Sequence, residues 1–219
     1  MSAGRPSSRE VRAYRVSWQV ASLLLAYPDQ ELRGRLPLLR SMVGDLPHQL
    51  AVPLEKFVAY AEATPLLELA AQYVTTFDHQ RRCCLYLTYY AYGDTRKRGM
   101  ALLAFKTAYR RAGLELGSDE LPDHLAVVLE FAATADPKAG RQLLLDHRAG
   151  VELLRLALED GLSPYVDVLR AVTSTLPPLA GDQREAVQRL AAAGPPAEEV
   201  GLAPFAPPEY MPQTQGARR

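Results

Sequence analysis

The sequence predicts an all-α protein, and three observations support that prediction. Glycines and prolines interrupt the chain at intervals that suit helices of ordinary length. β-Branched residues are scarce, and no Asn-Gly pair, the strongest short signal for a hairpin, occurs. Between the interruptions, apolar residues recur at three- and four-residue spacing. We therefore expect a single globular bundle of roughly eight to ten helices.

Composition and charge limit the kinds of protein this can be. The chain has 219 residues, of which 48% are hydrophobic and 23% charged, as expected for a globular domain and not for a disordered chain. Its 25 basic residues balance its 25 acidic ones. With no net charge to hold the chain on nucleic acid or on an anionic membrane, we expect neither a nucleic-acid partner nor stable membrane association.

Four helices are predicted in the first third of the chain. The first spans residues 16–27, and Pro28-Asp29 both ends it and caps the second, over residues 30–43. A third helix reaches Thr64-Pro65, where a fourth begins. The apolar positions of the four faces are Val16, Val20, Leu23, Leu24 and Tyr27; Leu32, Leu36, Leu39 and Val43; Leu54, Phe57, Val58 and Ala61; and Leu66, Leu69, Tyr73 and Phe77.

The centre of the chain is predicted as two further helices. Residues 81–92 are apolar nearly all round, which is typical of a helix in the middle of a protein. Gly93 ends this segment, and Asp94 or Thr95 is the expected N-cap of a long helix that ends at Gly113. The residues expected to face inward from this long helix are Met100, Leu103, Ala104, Thr107 and Ala108.

The last part of the domain begins with a connector, residues 114–121. Pro122 is expected in the first turn of the next helix, whose inward residues are Leu125, Val128, Leu129 and Ala132. Further helices are expected over about 137–146, 148–159, 164–175 and 182–193.

The chain is therefore divided into three parts. Residues 1–12 form a flexible N-terminus, residues 13–193 the helical domain and residues 194–219 a proline-rich, disordered tail. No apolar stretch is long enough to span a bilayer, and the N-terminal residues do not resemble a signal peptide. The only cysteines are the neighbours Cys83 and Cys84, which suits a reducing compartment, so we expect a cytoplasmic protein.

Residue patterns typical of enzymes are missing from the sequence. The four histidines, His48, His79, His124 and His147, stand apart and form no metal-ligand spacing. Cys83 and Cys84 are interpreted as small buried hydrophobes in preference to a nucleophile or a redox pair. Glycine-rich phosphate loops and the Gly-x-Ser-x-Gly motif do not occur. We expect no catalytic activity, no metal and no cofactor.

The charges are unevenly distributed along the chain. Residues 81–111 carry eight basic side chains and one acid, Asp94, whereas residues 112–137 carry six acids and no Lys or Arg. One interpretation is two solvated faces that partly neutralise each other. The other is an acidic rim suited to a basic peptide. The residues of the predicted rim are Glu115, Asp119, Glu120 and Glu130.

Asp123-His124 is a second candidate feature, at the expected start of a helix. An Asp at this place usually gives only a favourable charge on the positive end of the helix dipole, and a lone His is usually solvated. From the residues alone, this structural interpretation is preferred.

Two stretches resemble known families. Residues 73–78 (YVTTFD), 81–90 (RRCCLYLTYY) and 93–100 (GDTRKRGM) resemble the central signature of the NarJ, or delta-subunit, family of nitrate reductase molybdenum cofactor assembly chaperones. Residues 120–131 (ELPDHLAVVLEF) are similar to the Glu-Pro-x-Asp-His-Leu motif of the wider TorD/DmsD-like redox enzyme maturation chaperones. Leu121 departs from the wider family's proline, Cys84 is a second cysteine, and the tail carries no family motif.

The resemblance implies an all-helical, non-catalytic, cytoplasmic chaperone. Its partner would be the N-terminal segment of the catalytic subunit of respiratory nitrate reductase, held while the molybdenum cofactor is inserted and before membrane docking. Proteins of cofactor biosynthesis are further expected partners. Carried over by position, the peptide-binding residues are Tyr73, Phe77, Tyr86, Tyr90, Asp123 and His124.

Other functions stay open. The client could be a sister molybdoenzyme, or the chain could carry the molybdenum cofactor itself through the basic residues of segment 81–111. A third interpretation is a helical adaptor that acts through its tail, where Leu202, Phe205, Tyr210 and Met211 lie between prolines.

Overall fold

The computed structural model of the chain describes residues 6–93, 95–117 and 120–193. Within these ranges the chain forms eleven α-helices and no strand, so the predicted all-α class is confirmed. The expected disorder of residues 194–219 concerns residues outside the described ranges. The helices are α1 (Ser8–Leu24), α2 (Gln30–Gly44), α3 (His48–Ala63), α4 (Leu66–Tyr73), α5 (Tyr89–Tyr92), α6 (Arg96–Arg111), α7 (Leu125–Thr134), α8 (Pro137–Asp146), α9 (Arg148–Asp160), α10 (Val166–Ser174) and α11 (Gly181–Ala193).

The first helix starts earlier than its apolar spacing indicates. Ser7 accepts a hydrogen bond from the backbone of Glu10, whose side chain in turn accepts one from the backbone of Ser7. This capping box gives α1 a defined start at Ser8. Residues 8–12, assigned above to a flexible N-terminus, are therefore helical. The next boundary is as expected, because the Asp29 carboxylate caps α2 by accepting from Leu32 N at 2.8 Å.

Helix α1 runs through the middle of the bundle. It packs most extensively against α7 and also contacts α2 and α10. Its Trp18 side chain is buried and donates from Nε1 to Thr175 Oγ1 at 2.9 Å. Because the indole N–H is satisfied, the largest side chain of α1 can lie entirely inside the core.

A π-helical turn (Val74–Asp78) follows α4 directly. It is closed by a hydrogen bond from His79 N to Val74 O, five residues apart, so it holds one residue more than an α-helical turn. Leu69, Tyr73 and Phe77, spaced four residues apart, are all buried. The wide turn keeps Phe77 on the same face as Tyr73, with their ring centroids 4.8 Å apart.

The predicted helix over residues 81–92 is wrong. The segment consists of a short 3-10 turn (Arg81–Cys83), an extended stretch and the four-residue helix α5. From Cys83 to Leu87, buried and partly exposed residues alternate, which is the period of extended chain and not of a helix. The break predicted at Gly93 is confirmed, since this residue has a φ of 55° that favours glycine.

The predicted inward face of α6 is also wrong. Met100 is 72% exposed and Leu103 47% exposed, whereas Phe105 and Tyr109 are buried. The two aromatic rings, four residues apart, bury more apolar area than the smaller side chains on the other face. The predicted end of α6 is confirmed, because Gly113 has a φ of 78° just beyond it. Thr95 takes the N-cap position of α6, and the alternative cap, Asp94, is outside the described residues.

Pro122 does not lie in the first turn of α7, as predicted, but three residues before its first residue, Leu125. Its carbonyl accepts from the Tyr109 hydroxyl at 2.6 Å, and that of Asp123 accepts from Leu87 N at 3.0 Å. Both carbonyls thus accept hydrogen bonds from other segments of the chain and do not take part in the hydrogen bonds within α7. The predicted inward residues Leu125, Val128, Leu129 and Ala132 are all buried.

The remaining helices agree closely with their predicted ranges, and α8 matches its range from Pro137 to Asp146. A chain of ion pairs joins α9 to α10 and α3. Glu152 is paired with Arg148 and Arg155, Glu159 with Arg155 and Arg170, and Asp167 with Arg170 and Lys56. Among the described residues, no helix is both long enough and apolar enough to cross a bilayer.

One close helix contact gives a first prediction. A Cβ at Gly140 of α8 would lie 2.4 Å from Ala132 Cβ and 2.5 Å from Ala132 Cα on α7, so the two helices would have to separate. We expect Gly140→Ala to lower the free energy of unfolding by about 1–3 kcal/mol, measured by urea denaturation.

The control is Gly34→Ala, in the interior of α2. A Cβ at Gly34 meets nothing within 4 Å. This substitution should raise stability by about 0.5–1 kcal/mol, because alanine favours a helix more than glycine does. Effects of the same sign at the two glycines would contradict the close contact between α7 and α8.

Candidate functional site

Residues 84–88 form a short non-helical strap that lies against the start of α7. Leu87 N donates to Asp123 O at 3.0 Å, and Leu125 N donates to Leu85 O at 2.8 Å. Tyr86 and His124 face each other in this short antiparallel bridge. The two sequence motifs that carried the family resemblance thus meet in space.

Asp123 is fully buried, and its carboxylate holds the strap in place through hydrogen bonds to Thr88. Its Oδ2 accepts from Thr88 N at 3.1 Å and from Thr88 Oγ1 at 2.5 Å. The Arg98 guanidinium lies 3.7 Å from the same oxygen, and Arg98 Nε donates to Thr88 Oγ1 at 3.1 Å. Asp123 therefore joins the strap, α6 and the start of α7, and it does not reach the surface.

Tyr86, His124 and Arg98 form the outer layer above this carboxylate. The Tyr86 and His124 rings meet edge to face with centroids 5.2 Å apart, and the Arg98 guanidinium lies 5.3 Å from the centroid of Tyr86. Both rings are partly exposed. Burial raises the pKa of Tyr86, with smaller contributions from neighbouring charges. Burial also lowers the pKa of His124, an effect that Asp123 partly opposes, so the neutral imidazole is favoured.

Tyr73 and Phe77 lie in an aromatic cluster next to this site. Both are buried, and their rings pack against Tyr165. The Tyr73 hydroxyl donates to Leu25 O at 3.1 Å, and burial raises its pKa. The outer member of the cluster is Tyr27, which is 55% exposed and meets the Tyr73 ring edge to face at 5.6 Å.

Tyr90 points away from the other predicted residues. Its hydroxyl donates to Cys84 O at 2.8 Å, and its ring packs against Gly150 of α9, where an added Cβ would lie 3.0 Å from Tyr90 Cδ2. Tyr90 therefore belongs to the α9 side of the strap. Cys83 is buried as expected, and burial raises the pKa of its thiol, whereas Cys84 is only partly buried.

Two residues of the predicted acidic rim lie beside basic residues of α6. Glu115 and Glu120 line a cleft of about 460 Å³ together with Lys106 and Arg110 of α6. This arrangement fits the interpretation in which the acidic and basic faces partly neutralise each other. Glu130 is exposed on α7, and Asp119 is outside the described residues. In the described part of the chain, His, Cys, Asp and Glu nowhere form a group of three suited to a metal ion.

The structure thus brings Tyr86, Asp123 and His124 together and puts Tyr73 and Phe77 close by. Sequence reasoning missed Tyr27, Thr88 and Arg98. Arg98 lies in the GDTRKRGM motif and Thr88 in the RRCCLYLTYY motif, so the motifs contained the signal. What the sequence did not reveal is that both side chains converge on Asp123, 35 positions beyond Thr88.

Structural comparison first shows which known fold the chain adopts. The fold is that of a crystal structure of an Archaeoglobus fulgidus protein assigned to redox enzyme maturation, with a TM-score of 0.55 and 22% sequence identity. The match covers 80% of this chain and 96% of the other. At this identity the likeness concerns the fold alone.

Sequence comparison then identifies the family. Residues 44–171 match the model of the nitrate reductase delta subunit family, and the chain belongs to this family. It is 32% identical to Bacillus subtilis NarJ over 162 residues, covering 74% of this chain and 88% of the relative. Escherichia coli K12 NarJ is 31% identical over 162 residues, covering 71% and 69%. Both relatives are named as nitrate reductase molybdenum cofactor assembly chaperones and not as enzymes.

A third relative is much longer. NarX of Mycobacterium tuberculosis H37Rv, named a nitrate reductase-like protein, is 41% identical over 160 residues. The match covers 73% of this chain but only 24% of NarX, so the chain corresponds to about a quarter of that protein.

The buried carboxylate gives the second prediction. Asp123→Ala removes the acceptor of two donors of Thr88, which is itself buried. Because these donors cannot reach water instead, we expect a loss of about 2–4 kcal/mol in the free energy of unfolding, measured by urea denaturation.

The matched control is Asp136→Ala at the N-cap of α8. This carboxylate also accepts two hydrogen bonds, from Lys138 N and Ala139 N, but near the surface. Its loss should cost only about 1 kcal/mol. An equal loss for the two variants would show that burial does not decide the role of Asp123.

The lowered pKa of His124 gives the third prediction. Burial likewise lowers the pKa of His147, whose ring stacks on Phe105 at 4.9 Å. The unfolded chain therefore takes up protons on these imidazoles at a higher pH than the folded chain does. The free energy of unfolding should therefore be highest above about pH 6.5, the pKa of histidine in the unfolded chain. It should decrease as the pH falls from there through the lower pKa values of the folded chain.

Urea denaturation of the parent and of His124→Gln at pH 7.5 and pH 5.5 measures this effect. The variant should lose less stability between the two pH values than the parent. His48→Gln, at an exposed position of α3, is the control and should keep the parent's pH dependence. An unchanged pH dependence in His124→Gln would contradict the prediction.

Proposed function

We propose that this protein is a chaperone for the assembly of respiratory nitrate reductase. It binds the N-terminal segment of the apo catalytic subunit in the cytoplasm and assists insertion of the molybdenum cofactor before the enzyme docks on the membrane. In this proposal it catalyses no reaction and binds no nucleic acid. Membership of the delta subunit family and the names of the NarJ relatives support the proposal.

The observation that supports the binding role most directly is a group of neighbouring rings, of which Tyr27 is exposed, Tyr86 and His124 are partly exposed, and Tyr73 is buried against Tyr27. We call this the aromatic surface, defined by Tyr27, Tyr73, Tyr86 and His124 with the Arg98 guanidinium. Tyr27 is the most exposed ring, and Tyr86 and His124 are held by the strap over Asp123. Tyrosine suits such a surface, because it offers a large apolar face at low entropy cost and keeps a polar tip.

The client segment is proposed to bind as an amphipathic helix, with apolar side chains against the aromatic surface. Burial of about four apolar side chains contributes roughly 6–12 kcal/mol, and ordering of the peptide offsets several of these. At the upper end of this range the remainder is about 8 kcal/mol, which corresponds to a dissociation constant near one micromolar. Basic residues of the client are proposed to pair with Asp78, which is exposed. Asp78 lies close enough to Tyr73 and Tyr86 for its charge to raise the pKa of both.

The roles of the predicted residues differ within this proposal. Tyr86 and His124 contact the client, whereas Asp123 is a positioning residue that acts through Thr88 and Arg98. Phe77 supports Tyr73 from the core. Tyr90, on the α9 side of the strap, is not part of the aromatic surface.

The cofactor-carrier alternative has less support. Of the eight basic residues that would form its site, Arg81 and Arg82 border α9, Arg98 covers Tyr86, and Lys106 and Arg110 line the cleft with Glu115. Such scattered cations do not form a single phosphate site. A sister molybdoenzyme as client would use the same aromatic surface.

The fourth prediction tests the binding role by isothermal titration calorimetry. The full chain is titrated with a synthetic peptide of about 15–20 residues from the N-terminus of the cognate nitrate reductase catalytic subunit. We expect one-to-one binding with a negative heat-capacity change, as for burial of apolar surface. Tyr27→Ala and His124→Ala should each weaken binding at least about fivefold, because each removes a ring from the binding surface.

Tyr92→Ala is the matched control, since Tyr92 is also an exposed tyrosine but lies on α5. Its affinity should equal that of the parent, and far-UV circular dichroism should be unchanged in all three variants. Parent affinity in both Tyr27→Ala and His124→Ala would exclude the aromatic surface as the binding site. Absence of any binding by the parent chain would contradict the proposed function.

A further inference from the structure

A small pocket lies on the α9 side of the strap, away from the aromatic surface. It has a volume of about 300 Å³ and lies between segment 81–90, α9 and α11. Its apolar lining includes Tyr90, Leu153, Leu156 and Leu190, and Arg81, Arg82 and Asp160 border it. Leu156 is 37% exposed, and Leu153 on the same face of α9 is partly exposed. The pocket therefore combines an apolar floor with two cations and one carboxylate.

The chain itself leads into this pocket. Helix α11 packs on α9, and its residues Leu190 and Ala191 line the pocket. The described part of the chain ends at Ala193, two residues further on, and 26 residues follow in the sequence. The segment that follows α11 thus starts at the edge of an apolar pocket.

The sequence of this segment complements the pocket. Glu198 and Glu199 come first, and the apolar residues Leu202 and Phe205 follow within six positions. The two acids are opposite in charge to Arg81 and Arg82. The two apolar side chains suit the apolar floor formed by Tyr90 and the leucines of α9. At about 3.3–3.6 Å per residue, the connection from Ala193 is long enough to reach every part of the pocket.

We propose that residues 198–205 of the tail dock in this pocket. The pocket is then a binding site for an extended segment in which acids precede apolar residues, and the chain's own tail occupies it. Only four residues connect Ala193 to Glu198, which keeps the segment close to the pocket at a high effective concentration, so even a weak intrinsic affinity keeps the pocket filled. This site is separate from the aromatic surface and goes beyond the proposed chaperone function.

The fifth prediction tests the docking with a peptide added in trans. The probe is a synthetic peptide of residues 196–207, titrated into full-length chains by isothermal titration calorimetry. In a chain with Leu202→Asp and Phe205→Asp, the tail no longer competes, and we expect the peptide to bind. In the parent chain the tail is in place, so apparent binding should be at least tenfold weaker.

Two charge reversals in the tail variant show whether the peptide binds at this pocket. Arg81→Glu with Arg82→Glu should reduce binding at least tenfold. Arg96→Glu with Lys97→Glu, a pair of neighbouring exposed cations at the start of α6, is the matched control and should leave binding unchanged. Far-UV circular dichroism and thermal unfolding verify that each variant is folded.

Three outcomes would overturn the proposal. They are no peptide binding to the folded tail variant, equal binding to the tail variant and the parent, and equal effects of the two charge reversals. None of them bears on the client titration, because the aromatic surface is intact in all of these chains.

Discussion

The carboxylate of Asp123 is the constraint on which the site depends. It is buried, and it receives both donors of Thr88 from a segment that forms no regular helix. Without this acceptor the strap would leave buried donors unsatisfied, and the two backbone hydrogen bonds of the bridge, from Leu87 N to Asp123 O and from Leu125 N to Leu85 O, would be left to hold Tyr86 against His124. A buried charge is costly unless it is hydrogen-bonded, so the same residue that fixes the strap also requires the strap to be in place. The two motifs shared with the family are therefore one structural unit.

The strap and the short helix α5 that follows it direct their aromatic side chains to two sides of the molecule. Tyr86 faces the start of α7 and the aromatic surface, whereas Tyr90 faces α9 and the pocket next to α11. In a continuous helix, residues four apart would lie on the same face. The extended stretch followed by the short helix α5 is what separates them. Two binding surfaces can therefore be built from one short segment of sequence.

Much of the fold could be predicted from the sequence. Helix ends followed from Asp29, Gly93 and Gly113, and the buried residues of α7 from apolar spacing, because these signals act within a few residues. Segment 81–92 could not be assigned from its apolar content, which fits a buried helix as well as buried extended chain. The structure shows buried extended chain, with buried and partly exposed residues alternating from Cys83 to Leu87. The inward face of α6 could not be predicted from apolar spacing, because apolar residues lie on both faces and tertiary packing buries the one that carries Phe105 and Tyr109. At the site, the motifs indicated Asp123 and His124, but the burial of Asp123 depends on Thr88 and Arg98 from distant parts of the chain.

The wide turn after α4 has a consequence for how this region can vary. Because the turn over Val74–Asp78 holds one residue more than an α-helical turn, it is equivalent to a single-residue insertion in a continuous helix. A turn of this kind takes up the extra residue within itself, so the residues before and after it keep nearly the same rotation about the helix axis. Deleting one residue there would give a regular α-helical turn, with the phenylalanine three positions after Tyr73 and still on the same face. The segment between α4 and the strap can therefore change in length by one residue without removing this ring from the aromatic cluster.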